Sequence, residues 1–389
     1  MGMNSRKSKF FIETDMFSEL CTKIHDVPEI KKNIKYGKAE VFADFSEEEL
    51  KTIMCDSSEP TDEESKRRAF IKALYDCVQI PTGPKSAKDF FQKARENPAY
   101  YFIEEPNSII FTTKPKPERE CIMDCYGIWM IGGDDLNDTF LESWGEDFPP
   151  YTKFGIDRDG WANIREAVGR FPSSSMVIFD NFITLADYNT KELYGLSNIK
   201  SIINNFVSSK LLIDNYNILI VSKLEPLSKL AQYRYKDLKK RQNIIGNICS
   251  WIRSIKQTYP KIQVQFILSS QTPEHDRYIF FNYGIFKSGK GFRIFEPGNN
   301  VVYCDGKNKD IDYHFDAIKY ISDHSTKGTD KLNRAYGIQA KIWNLYDKSW
   351  ENEDGQTKII DYKTNVIDNI DYHTIIIGDK FKDFSIRRE

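Results

Sequence analysis

Three strongly apolar segments in the second half of the chain alternate with helical segments, and this alternation restricts the possible folds. The apolar segments are SSMVIFDNFI (Ser174–Ile183), YNILIVSK (Tyr216–Lys223) and KIQVQFILSS (Lys261–Ser270). Each is long enough for a strand that is buried on both faces. The intervening segments, Asn198–Leu212 and Pro226–Tyr259, repeat apolar residues at helical spacing. Strands that alternate with helices predict an α/β fold with a largely parallel mixed sheet flanked by helices.

The first 165 residues contain strand and helix patterns without this regular alternation. The patterns are AEVFADF (Ala39–Phe45), AFIKALYDCV (Ala69–Val78) after a Thr61–Glu64 capping box, SAKDFFQKARENP (Ser86–Pro98), SIIFTT (Ser108–Thr113) and CYGIWMIGG (Cys125–Gly133). We expect an α+β domain of unassigned role over residues 1–165 and a second domain over residues 166–389. The boundary falls inside Gly160–Pro172, and a last strand pattern, Tyr372–Phe381, is not assigned to a sheet.

The charge balance excludes a protein that binds polyanions over its whole surface. There are 57 acidic and 55 basic residues, for a formal charge of −2, so contact with nucleic acid or an anionic membrane requires a local patch. The seven cysteines are scattered, and the Cys121–Cys125 pair lacks a second pair or a nearby histidine, which argues against zinc. An odd cysteine count, no secretory leader and no membrane-length apolar run predict a cytoplasmic protein. No cofactor or metal is expected.

His275 begins a pattern that matches the signature of phospholipase-D-type phosphodiesterases. That signature is H-x-K-x4-D followed by G-S-x-N, in which the histidine attacks phosphorus while the lysine and small polar residues bind the phosphate oxygens. In this chain the histidine, lysine, aspartate and first glycine positions hold His275, Arg277, Asn282 and Gly289. Arginine can still bind a phosphate through two nitrogens, whereas asparagine lacks the charge of aspartate.

Other positions of the signature are replaced. Lys290 and Phe292 stand where the signature has serine and asparagine. Enzymes of this type also need two such motifs, from an internal repeat or from a dimer. The other histidines, His25, His314, His324 and His373, lie in no similar frame. An active enzyme would therefore have to be a homodimer.

A longer stretch, VQFILSSQTPEHDRYIFFNYGIFKSGKGFRIF, resembles the C-terminal domain of the microtubule-interacting-and-transport (MIT) domain proteins, which has a phospholipase-D-like fold. The matching residues are His275-Asp276-Arg277, Phe281-Asn282, Ser288-Gly289-Lys290-Gly291 and Asp180-Asn181. The resemblance covers about residues 173–324. It implies that VVYCD (Val301–Asp305) is a closing strand and that DYHFDAIKYISDH (Asp312–His324) contains a terminal helix.

The resemblance implies a fold related to a phosphodiesterase whose catalytic set has decayed. In the animal proteins the domain binds acidic lipid, and in bacteria it occurs in multi-domain proteins of mobile elements and phage defence. No three-helix MIT module is recognisable at the N-terminus, so the partners of the animal proteins do not carry over. We expect a non-catalytic module of a bacterial multi-component antiviral system that recognises an anionic ligand, either nucleic acid or an acidic lipid headgroup. The expected anion-binding residues are Arg277, Asn282, Ser288, Gly289 and Lys290, supported by Asp180 and Asp276.

Two other functions remain open from the sequence. A metal-independent phosphodiesterase, most simply a nuclease, would use His275 as its nucleophile and a homodimer to supply the second histidine. A structural protein that binds other components of the same system needs no ligand at all. His275 also fits a structural role, hydrogen-bonded to Asp276 or Asp180, better than it fits the role of nucleophile. An Asp180–Arg277 pair would hold the hairpin against the first strand without catalysis.

Two charged clusters complete the candidates. The basic cluster contains Lys229, Arg234, Lys236, Lys239, Lys240 and Arg241, interleaved with Tyr233 and Tyr235. Such residues can bind phosphates and stack on bases, although a charge run on a helix is more often its solvated face. The acidic cluster GGDDLND contains Asp134, Asp135 and Asp138. It is interpreted as a loop, because metal sites for phosphoryl chemistry usually collect acids from separate elements.

Overall fold

The chain has an α/β fold in which sheets are flanked by helices. A computed structural model describes residues 8–13, 15–16, 39–43, 65, 87–100, 108–135, 151–155, 160–168, 172–184, 194–225, 227–272, 277–288, 292, 314–319, 326–364, 370–378 and 380–381. The Thr61–Glu64 capping box, the helix predicted at Ala69–Val78 and the strand predicted at Val301–Asp305 lie outside these residues.

The chain divides into two compact units. The first unit comprises Met1–Pro150 and Ile318–Asp330, and the second comprises Tyr151–Ala317 and Lys331–Glu389. A helix at Gly160–Val168 spans the predicted boundary at residues 165/166 and packs within the second unit, where Trp161 Nε1 donates a hydrogen bond to Asn198 Oδ1 at 3.0 Å.

The first unit contains a four-stranded sheet in the order β2-β1-β3-β4. Its elements are β1 (Ser8–Ile12), β2 (Ala39–Ala43), α1 (Ala87–Glu96), β3 (Ser108–Phe111), α2 (Lys116–Tyr126) and β4 (Trp129–Ile131). Each neighbouring pair of strands is parallel. Parallel strands connected through helices define an α/β arrangement, whereas α+β domains segregate helices from antiparallel strands. The described part of this unit therefore corrects the α+β prediction.

One face of this sheet carries a continuous row of apolar side chains. Phe42, Phe11, Ile110 and Met130 are paired in register across the four strands. The helix residues in the same core cluster are Phe90, Phe91 and Ala94 of α1 and Ile122 of α2. On the alternate positions Phe10, Ile109 and Phe111 are also buried. Both faces of the sheet are thus covered, as parallel sheets require.

The second unit contains a nine-stranded sheet in the order β12-β13-β8-β7-β6-β9-β10-β11-β5, although the last two residues of β11 and the first five of α6 fall in the first unit. Its elements are β5 (Tyr151–Gly155), α3 (Gly160–Val168), β6 (Ser175–Phe179), α4 (Tyr194–Phe206), β7 (Tyr216–Lys223), α5 (Ala231–Thr258), β8 (Ile262–Ser269), β9 (Arg277–Phe281), β10 (Gly284–Ser288), β11 (His314–Lys319), α6 (Thr326–Glu351), β12 (Thr357–Ile360) and β13 (Thr374–Gly378).

The centre of this sheet is the parallel set β6, β7 and β8, which are the three apolar segments recognised in the sequence. Antiparallel strands flank the set, with β9 beside β6 and β13 beside β8. The predicted apolar face of α5 is largely confirmed, because Ile245, Ile248, Ile252 and Ile255 are fully buried. Trp251 of the same face donates its indole N–H to the Leu196 carbonyl oxygen at 2.8 Å, which connects α5 to α4.

Two elements of the C-terminal part differ from the sequence predictions. The prediction of a terminal helix within Asp312–His324 is wrong for the middle of that segment, because His314–Lys319 forms β11. The first four residues, His-Phe-Asp-Ala, alternate polar and apolar side chains, which is the strand period. The unassigned strand near the C-terminus is β13, which joins β8 in the nine-stranded sheet.

Candidate functional site

Asp180 directly follows β6 and is fully buried at the carboxyl end of the parallel strands. Its Oδ1 accepts a hydrogen bond from the Phe182 backbone N–H, and its Oδ2 accepts one from the Phe292 backbone N–H, both at 2.8 Å. The Asp180 N–H in turn donates to the Val221 carbonyl oxygen of β7 at 3.1 Å. The carboxylate thus connects the end of β6 to the segment that follows the β9–β10 hairpin.

Arg277 begins β9, and the antiparallel register of β6 and β9 places it beside Asp180. The Arg277 Nε lies 4.0 Å from Asp180 Oδ1, and its guanidinium lies 4.5 Å from the centroid of the Phe182 ring. Arg277 is 9% exposed. Ser288 is paired with Arg277 across the hairpin and is also buried. The structure therefore brings together Asp180, Arg277 and Ser288 among the predicted site residues.

Phe182 is a member of this site that the sequence predictions missed. Its ring faces the guanidinium, a cation–π arrangement, while its N–H binds the buried carboxylate. The sequence feature that could have identified Phe182 is its position directly after the Asp180-Asn181 pair at a predicted strand end. His275, Asp276, Gly289 and Lys290 lie outside the described residues, so their predicted roles stay predictions.

Asn282 and Arg277 lie at opposite ends of β9. This placement revises the expectation that both side chains contact one anion. It follows the last residue of β9, whose partner Met176 belongs to the start of β6. The Asn282 Oδ1 accepts hydrogen bonds from the N–H groups of Ser174 at 2.9 Å and Ser175 at 3.1 Å. The five residues of β9 separate the two side chains by about 16 Å at about 3.3 Å per residue. Asn282 therefore stabilises the start of β6.

Asn282→Ala is expected to lower the free energy of unfolding without changing the contacts of Asp180 and Arg277 at the other end of β9. It leaves two buried N–H groups without their acceptor, at about 1–3 kcal/mol for each unsatisfied group. Urea denaturation measures the loss, and Asn282→Asp, which keeps an acceptor oxygen, is the matched control. A loss of anion binding by Asn282→Ala at unchanged stability would restore the predicted binding role.

The basic cluster at the start of α5 separates into buried and exposed members. Arg241 is 5% exposed and donates to the carbonyl oxygens of Ile370 and Tyr372, each at 3.2 Å, and of Glu225. Burial lowers the pKa of Arg241 from its usual value. This arginine connects α5 to two loops, so its predicted place in a surface patch is corrected. Arg234 forms a surface ion pair with Asp371 and is half-exposed.

Lys229 is exposed and precedes α5, and the remaining members form an exposed arc on α5. Lys236, Lys239 and Lys240 are exposed, and Tyr233 and Tyr235 are 50% and 72% exposed. At about 100° per residue these five side chains span about 160° of the helix surface, with a tyrosine at each margin and the lysines between. We call this set the α5 arc. Tyr233, Tyr235 and the neighbouring Leu230 are three of the five large apolar side chains exposed in the described part of the chain.

A pocket at the carboxyl ends of β6, β7 and β8 adjoins the α5 arc. Its polar lining is Thr184, Lys223, Glu225, Asp237, Lys240 and Arg241. Lys240 therefore belongs to both the pocket and the arc. Asp237 Oδ2 accepts a hydrogen bond from the Ser228 N–H at 2.9 Å, which orders the turn that precedes α5. The lining mixes carboxylates with cations, so the arc carries the more uniform positive charge.

Comparison with known proteins gave no match to a family model, a curated protein or a solved structure. Across the described ranges, no three histidine, cysteine, aspartate or glutamate side chains converge as metal ligands. Nor does any helix in those ranges combine the length and the apolar character needed to cross a membrane.

Proposed function

We propose that the second unit is a phospholipase-D-like module that binds single-stranded nucleic acid without cleaving it. The α5 arc carries this proposal, because three exposed lysines lie there between two tyrosines that expose half or more of their surface. Proteins that bind single strands combine cations that follow the backbone with aromatic rings on which bases stack. The wider role in a bacterial antiviral system stays a prediction.

The phospholipase-D-like fold is part of the proposal and is supported by the sheet edge at Asp180. A parallel centre is followed by the β9–β10 hairpin, and the hairpin returns Arg277 and Ser288 to the end of β6. Ligands of α/β sheets bind at the carboxyl ends of the strands. The α5 arc and the edge at Asp180 both belong to this end of the sheet, since α5 follows β7 and the pocket between them includes Lys240.

A binding role is favoured over catalysis by the contacts of Asp180 and Arg277. Both oxygens of Asp180 accept backbone hydrogen bonds, and Arg277 is buried against Phe182. These contacts stabilise the hairpin and leave the guanidinium 9% exposed. Cleavage by His275 is the competing hypothesis, and it is an outcome of the experiment below.

Nucleic acid is favoured over an acidic membrane surface by the type of exposed apolar group. Helices that lie in a membrane interface carry an apolar face of Trp, Phe and Leu opposite their cations. On the first turns of α5 the tyrosines lie on the same half of the helix as the lysines, and Leu230 is the one exposed aliphatic residue described nearby. Rings beside cations suit unstacked bases and phosphates together.

Lys236→Ala/Lys239→Ala/Lys240→Ala is expected to reduce the salt dependence of single-strand binding. Each phosphate contact adds about 0.7 to the slope of log affinity against log salt concentration for single strands, so three lost contacts lower the slope by about 2. Fluorescence anisotropy of a labelled oligothymidine, titrated at several salt concentrations, measures the slope. The matched control is Lys210→Ala/Lys341→Ala/Lys348→Ala, which removes three exposed lysines elsewhere in the second unit.

The same preparations decide between binding and cleavage. Labelled single- and double-stranded DNA and RNA are incubated with the full chain in metal chelator, beside a His275→Ala variant. Cleavage that is lost in His275→Ala would overturn the non-catalytic proposal. Binding to acidic-lipid vesicles but not to oligonucleotides would identify a membrane ligand instead. Equal salt slopes for the α5 variant and its control would remove the arc from the binding surface.

A further inference from the structure

The parallel sheet of the first unit has a topological switch point of its own. In the strand order β2-β1-β3-β4 the chain leaves β1 toward β2 on one side and returns to β3 on the other. The gap between the carboxyl ends of β1 and β3 is therefore the topological switch point of this parallel sheet. Ligands of α/β sheets bind at such a point.

Glu13 and Thr112 lie at this switch point. Glu13 directly follows β1, Thr112 directly follows β3, and the Glu13 N–H donates to the Phe111 carbonyl oxygen at 3.0 Å. The Thr112 hydroxyl donates to Glu13 Oε2 at 2.5 Å and accepts a hydrogen bond from the Lys114 N–H at 3.2 Å. The side chain of Glu13 is thus fixed in one orientation by the strand next to its own.

The Glu13 carboxylate is buried without a matching charge. Glu13 is 7% exposed, and no ion pair joins it to any described residue. Both of its side-chain hydrogen bonds, from Thr112 Oγ1 and from the Thr113 N–H at 3.4 Å, reach Oε2. Within the described part of the chain Oε1 has no hydrogen-bond donor. Oε1 is not among the fully buried side-chain atoms that lack a partner, so it is the accessible oxygen of an otherwise buried and oriented carboxylate, the oxygen that a cation could reach.

The charged groups around this edge favour a cation. The described charged side chains of residues 13–15, 112–119 and 132–135 are five acids, Glu13, Asp15, Glu118, Asp134 and Asp135, and three bases, Lys114, Lys116 and Arg119. The formal charge of the set is therefore −2. Arg119 is already bound to Asp134 and Asp135 and to the Lys114 carbonyl oxygen.

The Arg119 side chain lies beside Gly132 and the two aspartates that follow β4. It is 2% exposed, and a Cβ at Gly132 would lie 2.1 Å from its Nη1, so the guanidinium packs directly against the backbone at the end of β4. Burial raises the pKa of Asp134, but the hydrogen bond and charge of Arg119 outweigh this and lower the pKa below its usual value. Asp134 is therefore ionised at neutral pH, and Arg119 is not available to neutralise Glu13.

We infer that the switch point of the first unit binds a divalent cation of the Mg²⁺ or Mn²⁺ type through Glu13 Oε1. Mg²⁺ binds through one or two carboxylates and fills its other positions with water or phosphate oxygens. Asp15 is exposed and two residues further along the chain, so its Cα lies within about 7 Å of that of Glu13, which supplies a second carboxylate. Since no three acidic, histidine or cysteine ligands converge among the described residues, a zinc site or an all-protein calcium cage is disfavoured.

Iron-mediated cleavage tests the position of the cation directly. The full chain is loaded with Fe²⁺ and treated with ascorbate and peroxide, and mass spectrometry identifies the cut sites. We expect cuts next to Glu13 and next to Thr112, suppressed by excess Mg²⁺ or Mn²⁺. Glu13→Gln keeps the size and the acceptor oxygen for Thr112 but removes the charge, and it is expected to abolish both cuts.

Mn²⁺ titration followed by electron paramagnetic resonance gives the affinity. Glu13→Gln is expected to weaken Mn²⁺ binding at this position at least tenfold, because even the loss of a group that only orients a metal ligand costs about 10–100-fold in affinity. The thermal unfolding temperature without metal is expected to be unchanged or higher. Glu118→Gln, which removes one exposed acid from the same edge, is expected to bind like the unaltered chain. Cuts that persist in Glu13→Gln, or an unaltered chain that shows no cuts near residues 13 and 112, would overturn the assignment.

Discussion

Tyr233→Ala/Tyr235→Ala is expected to weaken binding of single-stranded nucleic acid more than any other change in the α5 arc. Stacking of a base on an aromatic side chain is worth about 1–3 kcal/mol by alanine substitution. Two lost rings therefore remove about 2–6 kcal/mol, which is at least about 30-fold in the dissociation constant. Fluorescence anisotropy with a labelled oligothymidine at fixed salt measures the change.

The control for this variant keeps the rings and removes only the hydroxyl groups. Tyr233→Phe/Tyr235→Phe is expected to bind within about threefold of the unaltered chain, because every base offers a π-face to either ring. Circular dichroism and thermal unfolding of both variants should be unchanged, since both tyrosines are exposed. Equal affinity of the alanine and phenylalanine variants would mean that bases do not stack on this helix.

Asp180→Ala is expected to cost about 3–5 kcal/mol of unfolding free energy, as measured when one partner of a buried charged pair is removed. Asp180 is fully buried, and its loss removes the acceptor of the Phe182 and Phe292 N–H groups. It also leaves the guanidinium of Arg277 buried without the nearby carboxylate. Urea denaturation gives the free energy, and an unchanged slope with denaturant shows that the same transition is followed.

Asp371→Ala is the matched control for this measurement. Asp371 forms an ion pair with Arg234 in which both side chains are more than 40% exposed, and such surface pairs contribute about 0–1 kcal/mol. A loss below about 1 kcal/mol for Asp180→Ala would contradict a structural role for this carboxylate. In that case the buried aspartate would have to be retained for ligand binding or chemistry.

The correctly predicted elements are those in which the apolar residues of one continuous segment already indicate which side chains are buried. The strands β6, β7 and β8 carry long apolar runs, and the buried face of α5 repeats at helical spacing. These patterns depend only on neighbours within the element. Strand β11 was mistaken for a helix because the resemblance to the MIT C-terminal domain implied a terminal helix there. Its own alternating polar and apolar residues indicate a strand.

The site residues were harder to predict because sequence spacing does not say which edge of a sheet a residue reaches. Asn282 follows Arg277 by one short strand, and that strand carries it to the opposite edge. The charge of Arg241 gave no indication that its side chain points inward to three carbonyl groups. Glu13 was missed because its partner Thr112 is 99 residues away, and only the pairing of β1 with β3 brings them together.

The position of β13 has a consequence for how the protein is made. Thr374 of β13 pairs with Ser269 of β8, 105 residues earlier in the chain. At about 5–20 residues per second of synthesis, roughly 5–20 s pass before the strand that covers this side of β8 has been made. During that interval an apolar strand of the sheet centre presents unpaired backbone groups, the kind of edge on which chains aggregate. The nascent chain is therefore expected to depend on chaperones until β13 emerges from the ribosome.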